Sequence, residues 1–368
     1  MANNANLRKA DKTEFDEYYT QYDYIQREIN AFLEYNPSLF KGKIVLLPCD
    51  DPEWSNFTRF FAQNFEALGL KKLISTSYAQ NSKIEKYNNA YQQISLFELQ
   101  SPNYDETISE SHGKIFTLER DTDNSGAIDF EDIEWQYLEG DGDFRSDEVK
   151  RLRDEADFII TNPPFSLIRD FLAWLYEADK NFLIIGRETL ITYKEVFPYI
   201  KATKLWTGVT CNSADMVFEV PDGTEIAEKD KEKAAKMGYI GNFTRLGNSC
   251  WFTNIDHGRR HQQLKMMSYT DNLKFSKHKA LKEKGYEHFD NYDAINVPYT
   301  DSIPNDYDGL MGVPISFIHK YNPEQFEIID GIGRYSVMSN EETKKAGKYL
   351  SMIKGEAKFF RIVIKKRS

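Results

Sequence analysis

Short apolar runs alternate with amphipathic stretches from about residue 40 to residue 210. Lys43–Leu47 (KIVLL) and Leu73–Ser77 (LISTS) read as buried strands, and so do Phe158–Ile160 and Asn181–Gly186 (NFLIIG). Between them lie helical patterns. One spans about Phe57–Leu68 and ends at Gly69, with Ser55 or Asn56 placed to cap its start. Another covers Leu167–Ala178, where Leu167, Ile168, Phe171, Leu172, Trp174 and Leu175 share a face. A helix at Tyr193–Ile200 and a strand at Lys204–Val209 complete the series. Ahead of it, Tyr22, Ile25, Ile29 and Phe32 recur at helical spacing, which predicts a helix over Tyr22–Tyr35. Strands alternating with helices in this way predict an α/β fold with a doubly wound sheet.

Two stretches break the rhythm. Residues 80–112 are polar and irregular, and the apolar runs Lys114–Glu119 and Ile133–Leu138 follow as strands around a turn-rich loop, so about 80–135 reads as an insert. Past 210 the runs are short: Met216–Val220, Trp251–Ile255, Phe326–Ile329 and Phe360–Ile364, separated by long polar segments. Residues 1–210 are therefore expected to form one domain. Residues 211–368 form a second, less regular region, of which about 310–330 is open to packing back on the first sheet.

Composition narrows the class. Of 368 residues, 40% are hydrophobic and 29% charged, the balance of a globular chain, and no apolar run approaches the ~18 residues that span a bilayer. The first residues lack the apolar core of a signal peptide. Three widely spaced cysteines, Cys49, Cys211 and Cys250, fit neither a disulfide framework nor a zinc site. A cytoplasmic protein with no membrane contact is expected. The net charge of −11 is unevenly spread: residues 257–288 hold eight Lys and Arg against three acids, a net +5 that leaves −16 for the remainder. Four of the six histidines lie there too. Such a segment suits a phosphate-facing surface, and equally a solvated charged helix or loop.

The strand Phe158–Ile160 runs into Thr161-Asn162-Pro163-Pro164-Phe165. Two prolines end the strand and fix the backbone, since neither donates to a ladder and each sets φ. A stiff loop at the strand end then carries one carboxamide and one aromatic face, at the place where open α/β sheets bind ligands. That pair suits work on an aromatic exocyclic amine. The Asn162 side-chain oxygen and the Pro163 carbonyl are two fixed acceptors for its two N–H groups, and Phe165 is a ring to stack on the base. The plainer reading is a rigid turn with Phe165 in the core.

A second loop, Asp121–Asp132, has oxygen-bearing residues at places one, three, five and nine and Gly126 at place six, as a calcium loop of the EF-hand type does. Its twelfth residue is Asp132, not the longer glutamate, and its flanks read as strands rather than helices. Calcium at 121–132 and a plain hairpin loop both stand as readings, and no metal is expected in the catalytic chemistry.

The Asn-Pro-Pro-Phe string resembles the catalytic loop of S-adenosylmethionine-dependent amino-methyltransferases. The strings CDDP-x-x-SNF (49–57), GDGDFR (140–145), TNPPFS (161–166), TYKEVF (192–197), NYDAINV (291–297) and GVPISFIHKYNPEQFEI (312–328) occur in one order. Together they resemble the EcoRI-type DNA adenine-N6 methyltransferase family. The resemblance implies a Rossmann-like methyltransferase domain at 1–210, and target recognition in 211–368. It implies methyl transfer from S-adenosylmethionine to a flipped adenine in duplex DNA, with Asn162, Pro163, Pro164 and Phe165 as the catalytic loop. Tyr19, Thr20 and Gln21 resemble the Phe-Tyr-Thr-Pro motif that lines the methionine end of the cofactor, with Gln21 in place of proline. Cys49, Asp50, Asp51 and Pro52 stand where the cofactor loop belongs, without its usual glycines, and the two acids are placed to accept from the cofactor's ammonium. Asp143 resembles the acceptor for the cofactor's adenine amine, with Phe144 against the ring. A restriction endonuclease in the same host is the implied counterpart, with no direct contact. RNA or protein glutamine as substrate, or a catalytically silent DNA-binding module, remain alternatives.

Overall fold

The computed structural model describes residues 18–50, 55–79, 102–109, 111–210, 214–220, 223–333, 337 and 349–367. Asp51, Pro52, Cys211 and most of the 80–112 stretch lie outside them. The described strands are β1 Tyr19–Thr20, β2 Ile44–Leu47, β3 Lys72–Ser77, β4 Lys114–Leu118, β5 Glu134–Tyr137, β6 Phe158–Thr161, β7 Asn181–Arg187, β8 Trp206–Thr207, β9 Ala214–Glu219 and β10 Phe243–Thr253. They form one ten-stranded sheet, ordered β1-β9-β10-β7-β6-β2-β3-β4-β5 with β8 paired to β10. At its centre β3, β2, β6 and β7 run parallel. β4 and β5 add antiparallel beyond β3, as β1 does on β9 and β8 on β10. The mixed sheet is that of a Rossmann-like α/β fold, as the alternation of runs predicts.

Burial explains why β2 is apolar throughout and β6 is apolar up to Thr161. Every residue of β2 and β6 is buried, so neither strand alternates. Helix α1, Tyr22–Tyr35, buries Ile25, Ile29 and Phe32 of the expected stripe together with Tyr24 and Glu28, while Tyr22 is only half-buried. The helical run after β2 is divided at Asn64 into α2, Asn56–Gln63, and α3, Phe65–Leu68. The Asn64 carboxamide donates to the Phe60 carbonyl at 2.8 Å and competes with the backbone ladder there. Gly69 closes α3 in the left-handed region. Ser55 caps α2, its hydroxyl oxygen accepting from the Phe57 and Thr58 amides.

Three expectations shift. The helix at 193–200 is shorter: a 3₁₀ turn covers Glu188–Thr192 and the α-helix spans only Phe197–Lys201, because Pro198 suits a first turn but not an interior. The strand at 204–209 contracts to β8. The strand expected from Trp251 instead begins at Phe243, since its first half is only partly buried and Asn248 bends it with a positive φ of 61°.

The chain divides into two compact units. The first comprises residues 1–33, 37–186 and 215–247, and the second 34–36, 187–214 and 248–368. The second holds its own four-stranded sheet. In chain order these strands are β11 Ile295–Asn296, β12 Met311–Val313, β13 Phe326–Ile332 and β16 Arg361–Lys366, with the small hairpin β14 Met352–Ile353 and β15 Glu356–Ala357 between the last two. The sheet order is β11-β12-β16-β13. No described helix is long and apolar enough to cross a membrane.

Candidate active site

The first unit gathers its chemistry at the C-terminal ends of β2, β3 and β6. Parallel pairing sets Leu47 beside Ser75 and Leu46 beside Ile159, so the three strands deliver their loops to one edge. After β6 comes Asn162-Pro163-Pro164-Phe165. Pro163 is buried, whereas Asn162, Pro164 and Phe165 are half-buried. The loop then opens a 3₁₀ turn at Phe165–Leu167 that leads into α5, Ile168–Glu177; α4 is the preceding helix, Asp147–Glu155.

Asn162 is held by one side of its carboxamide only. Its Nδ2 donates to the Tyr18 carbonyl at 2.7 Å, while its Oδ1 is buried and accepts from no group among the described residues. That division fixes which end of the amide faces the site, and it leaves an acceptor with open lone pairs. A buried acceptor without a donor costs about 1–3 kcal/mol, so the arrangement points to a donor brought from outside. The Pro163 carbonyl likewise takes no hydrogen bond among the described residues. Phe165 lies against the Tyr18 ring, centroids 5.5 Å apart and planes tilted by 30°. Tyr18 in turn meets Phe218 of β9 edge-on at 5.8 Å.

The residues after Tyr18 are joined to the same place. Tyr19 and Thr20 pair with Glu219 and Phe218 across β1 and β9. The Thr20 carbonyl accepts from Asn56 Nδ2 at 2.8 Å, which ties the strand to the start of α2. Thr20 Oγ1 is buried and without a partner among the described residues. Gln21 turns its amide back on the Tyr19 carbonyl at 3.3 Å. Tyr18 itself carries no family-like signal in its side chain, and its role as orienter runs through its backbone, so sequence reasoning passed over it.

The loop after β2 departs from a glycine-rich turn in an instructive way. Cys49 adopts a φ of 67°, the left-handed conformation that a glycine ordinarily takes. Asp50 follows, buried, and its carboxylate is engaged at both oxygens. Oδ1 accepts from the Ser55 hydroxyl at 2.8 Å, and Oδ2 from the Thr161 hydroxyl at 2.5 Å. The Thr161 hydroxyl also lies 2.7 Å from the Pro48 carbonyl. The Asp50 carbonyl takes the hydroxyls of Ser75 and Thr58, and its amide donates to the Thr76 carbonyl. Asp50 therefore clamps the ends of β2, β3 and β6 to the cap of α2.

The glycine-rich segment 140–145 runs beside the end of β3. The Ala79 amide donates to the Asp141 carbonyl at 2.8 Å. Gly142 has a φ of 84°, and a Cβ there would stand 2.3 Å from the Ser77 carbonyl oxygen, so both conformation and space require glycine. Asp143 is gripped by the Arg145 guanidinium at 2.6–3.2 Å, and those bonds hold its carboxyl below the usual carboxylate range. Phe144 is 3% exposed and packs edge-on against Phe171 and Trp174 at 5.1 and 5.7 Å. Its environment is aromatic core, not an open ring face.

The 121–132 loop gathers carboxylate oxygens of Asp121, Asp123 and Asp132 within 4.8 Å. They already accept from the loop's own backbone. Asp132 Oδ1 takes the amides of Thr122 and Asp123, and Asp121 those of Ser125 and Gly126. Asp132 also forms a capping box with Asp129 on a short 3₁₀ turn. The flanks are the antiparallel strands β4 and β5, so the helix pair of a calcium-binding hand is not built here.

In the second unit the basic segment divides. Arg260 stacks on Trp206 at 3.5 Å, and Arg259 donates to the Val209 carbonyl, so both serve the fold. Lys265, Lys274, Lys277, Lys279, Lys282 and Lys284 are exposed.

Residues 6–367 match the family model described as adenine-specific methyltransferase EcoRI. The chain is 40% identical to the type II methyltransferase M.EcoRI of Escherichia coli, over all of this chain and 99% of that one. It is 32% identical to M.MpnI of Mycoplasma pneumoniae and 30% to M.MgeORF184P of Mycoplasma genitalium, each over 98% of both chains. No solved structure matches it.

Proposed function

Because this chain belongs to the EcoRI family of adenine-specific methyltransferases, we propose that it methylates the N6 amine of an adenine flipped out of duplex DNA. The observation that carries the reading is the half-used carboxamide of Asn162, anchored through Nδ2 and open at a buried Oδ1. An adenine amine has two N–H groups and a lone pair delocalised into the ring. Asn162 Oδ1 takes one N–H and the Pro163 carbonyl the other, which directs the nitrogen lone pair out of the ring plane. Phe165, backed by Tyr18, stacks on the base and keeps it in register. Pro163 and Pro164 fix the backbone between these groups, so orientation is in place before the base arrives.

S-adenosylmethionine, when bound, supplies a methyl group already activated by a positive sulfur. The residues that would hold it come from three segments of the first unit. Tyr19, Thr20 and Gln21 line its methionine end, where the unpartnered Thr20 hydroxyl is a ready donor and acceptor. Cys49 and the backbone after it form the loop at β2. Asp50 is buried and acts there as a brace through its two hydroxyl partners, and Asp51 and Pro52 are assigned to the same loop by the family resemblance. Asp143, half-buried and held by Arg145, keeps a lone pair for the cofactor's adenine amine, and Phe144 anchors the segment on Phe171 and Trp174. Target recognition falls to the residues beyond about 210, where the six exposed lysines of the basic segment meet phosphates. The natural setting is the cytoplasm of a host that also carries a cognate restriction endonuclease.

The test uses tritiated methyl transfer to duplex DNA, RNA and protein in parallel. DNA is expected to accept the label, at adenine N6. Asn162→Ala abolishes transfer and keeps cofactor affinity within a few-fold by calorimetry. Near-normal turnover in that variant would refute the role given to Asn162.

A further inference from the structure

Flipping an adenine leaves a gap in the base stack, and flipping enzymes commonly fill such gaps with an apolar side chain. Among the described residues, Ile240 of the first unit is 84% exposed, and Phe275 and Phe359 of the second are 72% and 88% exposed. The exposure of Ile240 is built rather than frayed. Helix α7, Glu228–Lys236 (after α6, Phe197–Lys201), ends in a turn whose amides fold back on it. Met237 donates to the Lys233 and Ala234 carbonyls, Gly238 to Ala235 and Tyr239 to Ala234. The Tyr239 ring packs on Phe243 at 5.4 Å, and Arg245 pairs with Asp230 of α7 at 3.7 Å. Between these anchors Gly241, with a φ of 120°, turns the chain, and Ile240 stands at the tip beside the exposed Met237.

Strand register puts this tip near the catalytic loop, within the first unit. Tyr19 pairs with Glu219, and one residue further the Val220 amide donates to the Asn242 carbonyl at 2.8 Å. Tyr18, whose carbonyl holds Asn162, thus lies about two strand spacings, roughly 10 Å, from Asn242. Ile240 is two residues beyond. Lys233 and Lys236 are exposed on the last turn of α7, where they offer charge to the phosphates on either side of a penetrated step.

We propose that Ile240 is the wedge that enters the duplex beside the target adenine and holds the flipped state open while Asn162 and Pro163 grip the amine. The inference rests on the DNA-adenine reading above and deepens it. The residue does not touch the reacting atoms; it positions the base by occupying the space it vacates.

The experiment uses the full chain and a duplex carrying the site found by mapping modified adenines in cells that express it. 2-Aminopurine in place of the target adenine reports flipping by its fluorescence. Ile240→Ala is expected to lower that signal, and the single-turnover methylation rate, by tenfold or more, and Ile240→Leu to retain both. Cofactor affinity should stay within threefold. Opposite an abasic site the target is already loosely held, and there Ile240→Ala should recover most of the wild-type rate. Equal flipping and methylation by Ile240→Ala on the paired duplex overturns the wedge alone. So does an equal loss on paired and abasic duplexes, which would make Ile240 a general DNA contact. If the wild type methylates no duplex DNA, the functional reading fails first and the wedge with it.

Discussion

Thr161→Val isolates the clamp at the foot of the Asn162–Phe165 loop. The two side chains have nearly the same shape, so the change deletes a hydroxyl without opening a cavity. Thr161 is fully buried, and its hydroxyl reaches Asp50 Oδ2 at 2.5 Å and the Pro48 carbonyl at 2.7 Å. Its removal leaves a carboxylate oxygen in a site that is 7% exposed with one donor fewer. A hydrogen bond to a charged group contributes about 1.5–3 kcal/mol, and an unsatisfied buried group costs a similar amount. The expected loss is therefore roughly 2–3 kcal/mol. At roughly 2–4 °C per kcal/mol for a unit of this size, the melting temperature falls by about 4–12 °C. Urea denaturation gives the free energy, and a double-mutant cycle with Asp50→Asn gives the coupling, expected above about 1 kcal/mol. If Asp50 were free to serve as a ligand instead, Thr161→Val would cost less than about 0.5 kcal/mol, a change typical of sites without buried partners. A small, uncoupled effect would refute the clamp and return Asp50 to the cofactor.

Asn162→Asp replaces the donor that meets the Tyr18 carbonyl with an oxygen, so it should lower kcat at least a hundredfold while cofactor affinity, read by calorimetry, changes little. Cys49→Gly relieves a left-handed backbone and is expected to hold or raise the urea midpoint, whereas Cys49→Val, with its branched Cβ, should lower stability by about 1 kcal/mol or more. DNA affinity should fall steeply with salt, and Lys282→Ala with Lys284→Ala should reduce the logarithmic salt slope by about one unit for each phosphate no longer neutralised, in a fluorescence-anisotropy titration. Burial pushes the His257 imidazole down to about 4, against roughly 6.5 in an unfolded chain. The stability this neutral ring contributes is complete above about pH 6.5 and is lost as pH falls toward 4, a change of about 3 kcal/mol. Urea midpoints across that window should be flatter in His257→Gln.

The central strands were legible because both faces of β2, β6 and β7 are buried, which writes an unbroken apolar run into the sequence. The cap at Ser55 and the stop at Gly69 were legible because capping and left-handed closure each demand a particular residue type nearby. The stiffness of the loop at Asn162–Phe165 was legible for the same local reason, since two prolines announce their own geometry. Other features had no local cause to betray them. Nothing near Cys49 says that its backbone turns left-handed. An Asp-Phe pair reads the same whether the ring faces a ligand or, as Phe144 does, packs on Phe171 and Trp174. The first half of β10 is only partly buried, so its polar Thr244, Arg245 and Asn248 masked it as loop.

The shape of the Asn162–Phe165 loop and its orientation have separate origins. Shape is local: Pro163 and Pro164 restrict φ whether or not the rest of the chain is folded. Orientation is tertiary: Asn162 is aimed by a carbonyl 144 residues earlier, and Thr161 by a carboxylate 111 residues earlier. In the hydrogen-bonded order of the sheet, β9, β10 and β7 stand between β1 and β6, a gap of roughly 19 Å if the strands lay flat. The 2.7 Å bond from Asn162 to Tyr18 therefore requires the edge of the sheet to curl back over the strand ends. Among the described residues this brace leaves the Asn162 Oδ1 acceptor buried and unpaired, a cost to the fold. On the function proposed above, an amine that donates into that space recovers it.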